Sequence, residues 1–544
     1  MSTLETLEKA TRAWPQAERE NLGRTFGIDY TALRYQGTGS MEGLEFLYPF
    51  LNDSDKHVRH CAMFAVGRIF QGTGAKNLDK LSYITGNRDR SIRDRACTIL
   101  GQTLAGERPE VFLDILRPSY THKNNFIRAL GIRALGLAGA GKAHAELMPV
   151  FAEHIQDKDN LVSRNAITGL GAAFWESGDK MALGLLAPHV PFQTANGVEG
   201  ESHWTWQRRW RQIEFVSQAA AMVVARIARN SDAEDQAVEL LRQRLRPPRM
   251  PERMNFEVER TRAGGARAMS WLLRGKPAKA LKEMGFILTN LGPDKPRWAR
   301  RCAQSRAIWA IPGTFEGSGE EGIETANSML SEKKYAVLKA GILSLGVAAR
   351  ESCSDKVFGG LRPFLTHGNS AIRDVANLAV GLTFHKSGDK DAFEALKDSN
   401  LNDKRGPSNS YPFALGLIFQ GRGDEGAARE LLDLAKLKRR RLPGYAAHAV
   451  GLIYQGTSSP QAVELLLPLL ESGNFYSACA ALKLIDFDEQ ALISYPWWTW
   501  TSWPPVNADG PGAAYKFVYE HHLGPRVQFP DSGSKMFLIG LAIE

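Results

Sequence analysis

The residues best equipped to act on a partner are Trp204, Trp206, Arg208, Arg209, Trp210 and Arg211, crowded into eight consecutive positions. Arginine supplies charge and a planar fork of donors for carboxylates and phosphates, and tryptophan supplies a broad face for stacking or for a cation. Arg253, Arg260 and Arg262 follow in the same stretch. Residues 201–310 hold 22 Lys/Arg against 11 Asp/Glu and six of the twelve tryptophans, while the whole chain carries only +9. The rest of the chain is therefore slightly acidic. A solvated basic face would account for the arginines but not for tryptophan at this density. Three uses fit: anchoring a protein partner, packing of inserted loops, and gripping nucleic acid through phosphates and exposed bases. The expectation is a protein-binding surface, with nucleic acid as the alternative.

Other chemistry finds less support. His57-Val58-Arg59-His60-Cys61 has metal-ligand types, yet it opens a helix whose Cys61 should face the core, and no second His/Cys cluster lies near in sequence. His521 and His522 are adjacent and point apart on either a helix or a strand. No Gly-x-x-x-x-Gly-Lys-Ser/Thr loop and no Gly-x-Ser-x-Gly elbow in a suitable context is present. The sequence points to no catalytic residue, metal or cofactor. The run Lys436-Leu437-Lys438-Arg439-Arg440-Arg441 reads as a solvated ridge between helices.

The elements that must position the basic stretch announce themselves by repetition. Tyr35-Gln36-Gly37-Thr38-Gly39 returns as Phe70-Gln71-Gly72-Thr73-Gly74, and Phe419-Gln420-Gly421 returns as Tyr454-Gln455-Gly456, each after 35 residues. A glycine within an apolar helix recurs at Gly67, Gly101, Gly136 and Gly171, then at Gly346, Gly381, Gly416 and Gly451, in steps of 34 or 35. A period of this length marks stacked supersecondary units. Each unit reads as one small-residue helix, buried all round, followed by an amphipathic partner. The glycines cost about 1 kcal/mol each in helix propensity, which close packing against a neighbour must offset. The Gly-Thr-Gly phrases are read as turns and C-caps that need positive φ. Arg59, Arg93, Arg128 and Arg373 each stand eight residues before a marker glycine, after an Asp or Asn suited to capping. These side chains are expected to link successive repeats as a ladder.

The pattern Asp-x-x-Val/Ile-Arg-x-x-Ala resembles the HEAT repeat, and Gly-Leu-Ile-Tyr-Gln-Gly-Thr at 451–457 is similar to the related proteasome/cyclosome repeat. The likeness covers roughly 30–190 and 330–485. It implies an α-solenoid, a fold class that mostly serves as a binding scaffold. Some compact HEAT-like proteins are DNA glycosylases, which makes a repair enzyme a remote reading resting on fold alone.

Between Gly171 and Gly346 the register loosens. Ala225 takes the glycine place, and insertions are expected near Pro191–Arg211 and Arg246–Arg262, where Pro247, Pro248 and Pro251 cannot be helix interior. The expected organisation is an N-terminal cap at 1–30, HEAT-like repeats at 31–190, irregular basic repeats at 191–330, regular repeats at 331–485, and an aromatic, Pro-rich cap or docking segment at 486–544 around Trp497–Trp503. The whole is an expected all-α, right-handed superhelical solenoid of about 12–13 helix pairs. A content of 43% hydrophobic residues argues against a mostly disordered chain. The absence of any run of about 18 apolar residues argues against a membrane span. Five scattered cysteines and a start without basic or apolar character fit a reducing cytoplasm. The function expected is a non-enzymatic scaffold or adaptor, within a larger complex, that binds a protein partner.

Overall fold

The computed structural model describes residues 3–486 except 13–14, 17–19, 21, 82–83, 85–89, 192–202, 247–254, 290–309, 402–405, 409, 438–441 and 471–474. Among the described residues there are helices and turns but no strand. The segment 486–544, expected to cap the array, lies outside the described residues beyond Asp486. The chain divides into two compact units: one runs from Ile28 to Leu272, and the other joins Met1–Gly27 to the helices after Leu272.

The chain opens with α1 (Thr3–Ala10). The Ile28–Leu272 unit begins with α2 (Ile28–Arg34), α3 (Met41–Leu51) and α4 (Lys56–Ile69). It continues with α5 (Arg90–Thr103), α6 (Pro109–Tyr120), α7 (Asn125–Ala138), α8 (Met148–Ile155) and α9 (Asn160–Ala173). It ends with α10 (Lys180–Leu186), α11 (His203–Ala228), α12 (Glu234–Leu245) and α13 (Asn255–Leu272). Helices α4, α5, α7, α9, α11 and α13 stack directly on one another, and α3, α6, α8, α10 and α12 each pack on one or two of them. The second unit repeats the plan. Its stacked helices are α16 (Tyr335–Ala348), α18 (Ser370–Thr383), α20 (Tyr411–Ile418), α22 (Leu442–Ile453) and α24 (Phe475–Asp486). They are flanked by α14 (Pro277–Met284), α15 (Gly319–Leu330), α17 (Asp355–Leu365), α19 (Lys390–Leu401), α21 (Glu425–Ala435) and α23 (Pro460–Leu470). The fold is an all-α solenoid of HEAT-like repeats.

The glycine column sits where neighbouring stacked helices nearly touch. A methyl group at Gly136 would meet the Gly169 Cα at 2.3 Å, and one at Gly346 would meet the Ala379 Cα at 2.4 Å. At Gly171 it would meet Val223, two residues before Ala225, which keeps Ala225 in the column. Close approach of this kind brings whole backbones into dispersion contact. Burial in the stack is correspondingly complete: Ala166, Ile167, Leu170 and Ala173 of α9 are all inaccessible.

The Gly-Thr-Gly turns do more than end their own helices. Gly72 and Gly74 take φ values of +66° and +84°. Their N–H groups then donate to Gln102 and Thr103 carbonyls, at 2.9 Å each, in the last turn of the next stacked helix. In the second unit Lys386 and Gly388 do the same for Leu417 and Ile418 at 2.9 Å. A helix leaves its last four carbonyls without an intrahelical partner, and here the preceding repeat satisfies two of them. The repeat thus needs φ > 0 at two fixed places, and non-glycine residues such as Glu351 and Lys386 adopt it where glycine is missing.

The expected caps form: Asn124 accepts from the Phe126 and Ile127 amides, and Asn369 accepts from Ala371. The expected ladder is seen at Arg128, and the arginines also bond within their own loops. Arg59, Arg128 and Arg373 each reach back to a carbonyl six residues earlier, Asp53, His122 and His367. A link to the next repeat is added at Arg128, whose Nε donates to Asp157 at 2.9 Å, and at Asn125, which donates to Asp159 at 2.8 Å. The Arg128 guanidinium does both jobs at once, bonding its own loop's His122 carbonyl and Asp157 of the next repeat at 2.9 Å each.

The segments read as insertions are partly helix. His203–Arg211 forms the first turns of the 26-residue α11, and Asn255–Arg262 opens α13. Both lack Gly and Pro, so nothing in them resists extending the buried helix backwards. The first residues of the chain, expected to cap the N-terminal repeat, pack instead on the C-terminal pair: α1 lies against α23 and α24 and buries Leu7.

Candidate partner-binding site

Trp204, Trp206, Arg208, Arg209, Trp210 and Arg211 share the first turns of α11, and Arg260 lies on α13. Their side chains, and Arg253 altogether, lie outside the described residues. Arg262 is described and half-buried, and its Nε donates to the Leu245 carbonyl at 3.1 Å. It therefore closes the C-terminus of α12 and is committed to the fold. His57, His60, Trp298 and Trp309 have no described side chain, while Cys61 is half-buried against the core, as its position implied.

One tryptophan of the basic window, Trp271, is described, and its neighbours form a site. The Trp271 and Trp175 rings meet edge to face with centroids 5.9 Å apart. The Arg229 guanidinium lies 5.0 Å from the Trp271 centroid and the Arg226 guanidinium 5.8 Å from that of Trp175. Arg229 also pairs with Glu176 at 3.6 Å. Both rings and Arg229 are half-buried, whereas Arg226 is buried. The repeat turn builds this arrangement: Glu176 and Gly178 donate their N–H groups to the Arg226 and Ile227 carbonyls at 2.9 and 2.8 Å. That clamps the end of α11 beneath the Trp175 turn and sets Arg226 under its ring. Burial pulls the Arg226 guanidinium down to about 9, so it is charged at neutral pH. Each cation–ring contact contributes about 0.5–2 kcal/mol, more as water is excluded. The two rings are therefore held in one geometry by their arginine neighbours.

Sequence reasoning missed Trp175, Arg226 and Arg229. Trp175 lies outside the basic window and 96 positions from Trp271. The available signal was its register, since Trp175 stands where Gln36 and Gln71 stand in their repeats.

The same register carries a polar chain through the second unit. Arg274 pairs with Glu316, which lies 3.8 Å from Arg350, and Arg350 lies 3.6 Å from Glu351. Glu351 meets His385 at 2.7 Å, His385 meets Gln420 at 2.6 Å, and Gln420 meets Gln455 at 2.6 Å. Among the described residues no group of His, Cys, Asp and Glu is placed to hold a metal ion, and no helix is long and apolar enough to cross a membrane.

The class defined by this geometry is a helical-repeat solenoid with a preformed cation–aromatic surface. No protein-family model matches the chain. A stretch of 230 residues, 41% of the chain, is 20% identical to the 26S proteasome regulatory subunit RPN2 of Encephalitozoon cuniculi, and it covers 29% of that protein. The chain thus matches less than a third of the length of that relative. A crystal structure of a Kap121p mutant is also similar, at 12% identity and a TM-score of 0.30, covering 94% of this chain and 54% of that one.

Proposed function

We propose that this protein is a non-enzymatic scaffold or adaptor that holds a protein partner on the basic, Trp-rich middle of the solenoid. The observation that carries the reading is the pair of half-buried rings, Trp175 and Trp271, braced by Arg226 and Arg229. Rigid aromatic and arginine side chains in partly desolvated surroundings are the groups that dominate protein–protein contacts. The basic first turns of α11, with Trp204, Trp206, Arg208, Arg209, Trp210 and Arg211, extend the same composition. The similarity to a proteasome regulatory subunit supports a place within a larger assembly. A nucleic-acid groove is the second reading, favoured by the same charge.

The test is affinity purification from the native source with and without nuclease, followed by mass spectrometry. The expected result is a stoichiometric protein partner that survives nuclease. Trp271→Ala with Arg229→Ala should weaken it by about 2 kcal/mol, some thirtyfold, while helical circular dichroism persists. Co-purified nucleic acid, with no protein left after nuclease, would replace this reading by the second one.

A further inference from the structure

The chain Glu351–His385–Gln420–Gln455 has two self-consistent hydrogen-bond directions, and a proton on His385 chooses between them. Its members come from four successive repeat turns, spaced 34, 35 and 35 residues apart. The His385 side chain is fully inaccessible, Gln420 and Gln455 are buried, and the Glu351 carboxylate is about half exposed. The ring is gripped at both nitrogens: Nδ1 lies 2.7 Å from Glu351 Oε1 and Nε2 lies 2.6 Å from the Gln420 amide.

With Gln420 Oε1 facing the ring, both nitrogens must donate, which requires an imidazolium. Gln420 Nε2 then donates to Gln455 Oε1 at 2.6 Å, and the buried Gln455 Nε2 is left without a hydrogen bond among the described residues. Turning both amides over gives the other direction. Gln455 Nε2 donates to Gln420 Oε1, Gln420 Nε2 donates to His385 Nε2, and Nδ1–H donates to Glu351, so every donor points toward the carboxylate. That direction needs a neutral ring, protonated on Nδ1. The oxygen and nitrogen of an amide are assigned from the network, so the two directions are the same heavy-atom geometry in two protonation states.

We infer that His385 is a proton-set joint, in which uptake of one proton at Nε2 reverses the donor direction across two repeat interfaces of the second unit, His385–Gln420 and Gln420–Gln455, while Nδ1–H donates to Glu351 throughout. The proton comes from solvent, and no covalent bond other than N–H is made or broken. The charged groups facing the ring are Glu351 and Arg350 from the preceding turn and Lys386 beside it, while the following turn presents Gln420. Burial foremost, then Arg350, holds the imidazole below its ordinary range, so the neutral direction prevails at neutral pH. Because the folded value lies below the unfolded one, the contribution to stability is full above the unfolded value and is lost as pH falls toward the folded one. This inference is independent of the partner reading.

The test uses the full-length chain with isotope-labelled histidine, His385 being assigned by the signal lost in His385→Gln. The expected ring at about pH 7.5 is neutral with its proton on Nδ1, the minority tautomer of free histidine; a ring protonated on Nε2 alone would overturn the inference. Replacing Gln455 by Met, one repeat away from the ring, should lower the His385 titration point, because the charged form leans hardest on its chain of acceptors. No movement would show that the contacts are separate and refute the relay. His385→Gln keeps a donor and an acceptor but cannot titrate. Between about pH 7.5 and 5.5 it should lose less in folding equilibrium constant than the wild type, by up to about tenfold. Equal losses would remove His385 from the joint; should His385→Gln fail to fold, the tautomer and the Gln455→Met shift, assigned through Glu351→Gln, decide the matter.

Discussion

Adding one methyl group at two equivalent glycines, one in each unit, should have opposite effects, because the two contacts are not equally tight. At Gly136 the new carbon would stand 2.3 Å from the Gly169 Cα and 2.5 Å from its carbonyl oxygen. Those atoms are backbone of α9 and cannot rotate away. At Gly416 the nearest atoms are Ala449 Cα and Cβ and the tip of Leu452, all at 3.1 Å. Alanine gains about 1 kcal/mol over glycine in a helix interior. Overpacking a tight interface costs about 1–3 kcal/mol, with the upper end expected against an immobile backbone. Gly136→Ala is therefore expected to destabilise by about 2 kcal/mol, and Gly416→Ala to range from neutral to about 1 kcal/mol stabilising. Urea denaturation followed by circular dichroism measures both. At a slope of about 1–3 kcal/mol/M, the two midpoints should part by roughly 1 M or more. Repeat arrays unfold in segments when an interface weakens, so hydrogen exchange should localise the Gly136→Ala loss to α7 and α9. A Gly136→Ala midpoint equal to or above that of Gly416→Ala would refute the claim that backbone contact sets this column.

Three further outcomes follow from the same geometry. Burial pushes the His448 imidazole down to about 3, so its contribution is full above about pH 6.5 and is lost as pH falls from there toward 3, amounting to roughly 2 kcal/mol at pH 5; His448→Leu should flatten the acid limb of the stability–pH curve, and an unchanged limb would contradict it. Burial opposes ionisation of Asp157, but the Asp159 amide and Arg128 outweigh it and hold the carboxyl low, so Arg128→Ala should raise its titration point in carboxyl NMR and cost about 1–2 kcal/mol above the ordinary carboxylate range. Ala143 takes φ +49° in a turn where other repeats place glycine, so Ala143→Gly should stabilise the chain by about 1 kcal/mol, seen as a rise in Tm.

The 35-residue period made the fold class legible, because burial on both sides demands small residues at regular places and turns with positive φ at regular places. Ala225 could be assigned to the glycine column from sequence because its neighbours keep the apolar pattern, and Val223 duly fills the contact. The caps at Asn124 and Asn369 were legible too, since they act over two or three residues. What the sequence could not show was which distant groups the stacking brings together. The Arg ladder was legible from the spacing, as Arg128 bonds Asp157 of the next repeat, but the second bond, back to a carbonyl of the arginine's own loop, was not. Trp175 and Trp271 become neighbours only because the turn after α9 clamps the end of α11 while α11 and α13 stack. Likewise α1 packs on α23 and α24, at the far end of the sequence, by a contact that no local pattern encodes. Local rules wrote the repeat, and the stacking of repeats decided which side chains share a surface, because contact depends on distance in space rather than along the chain.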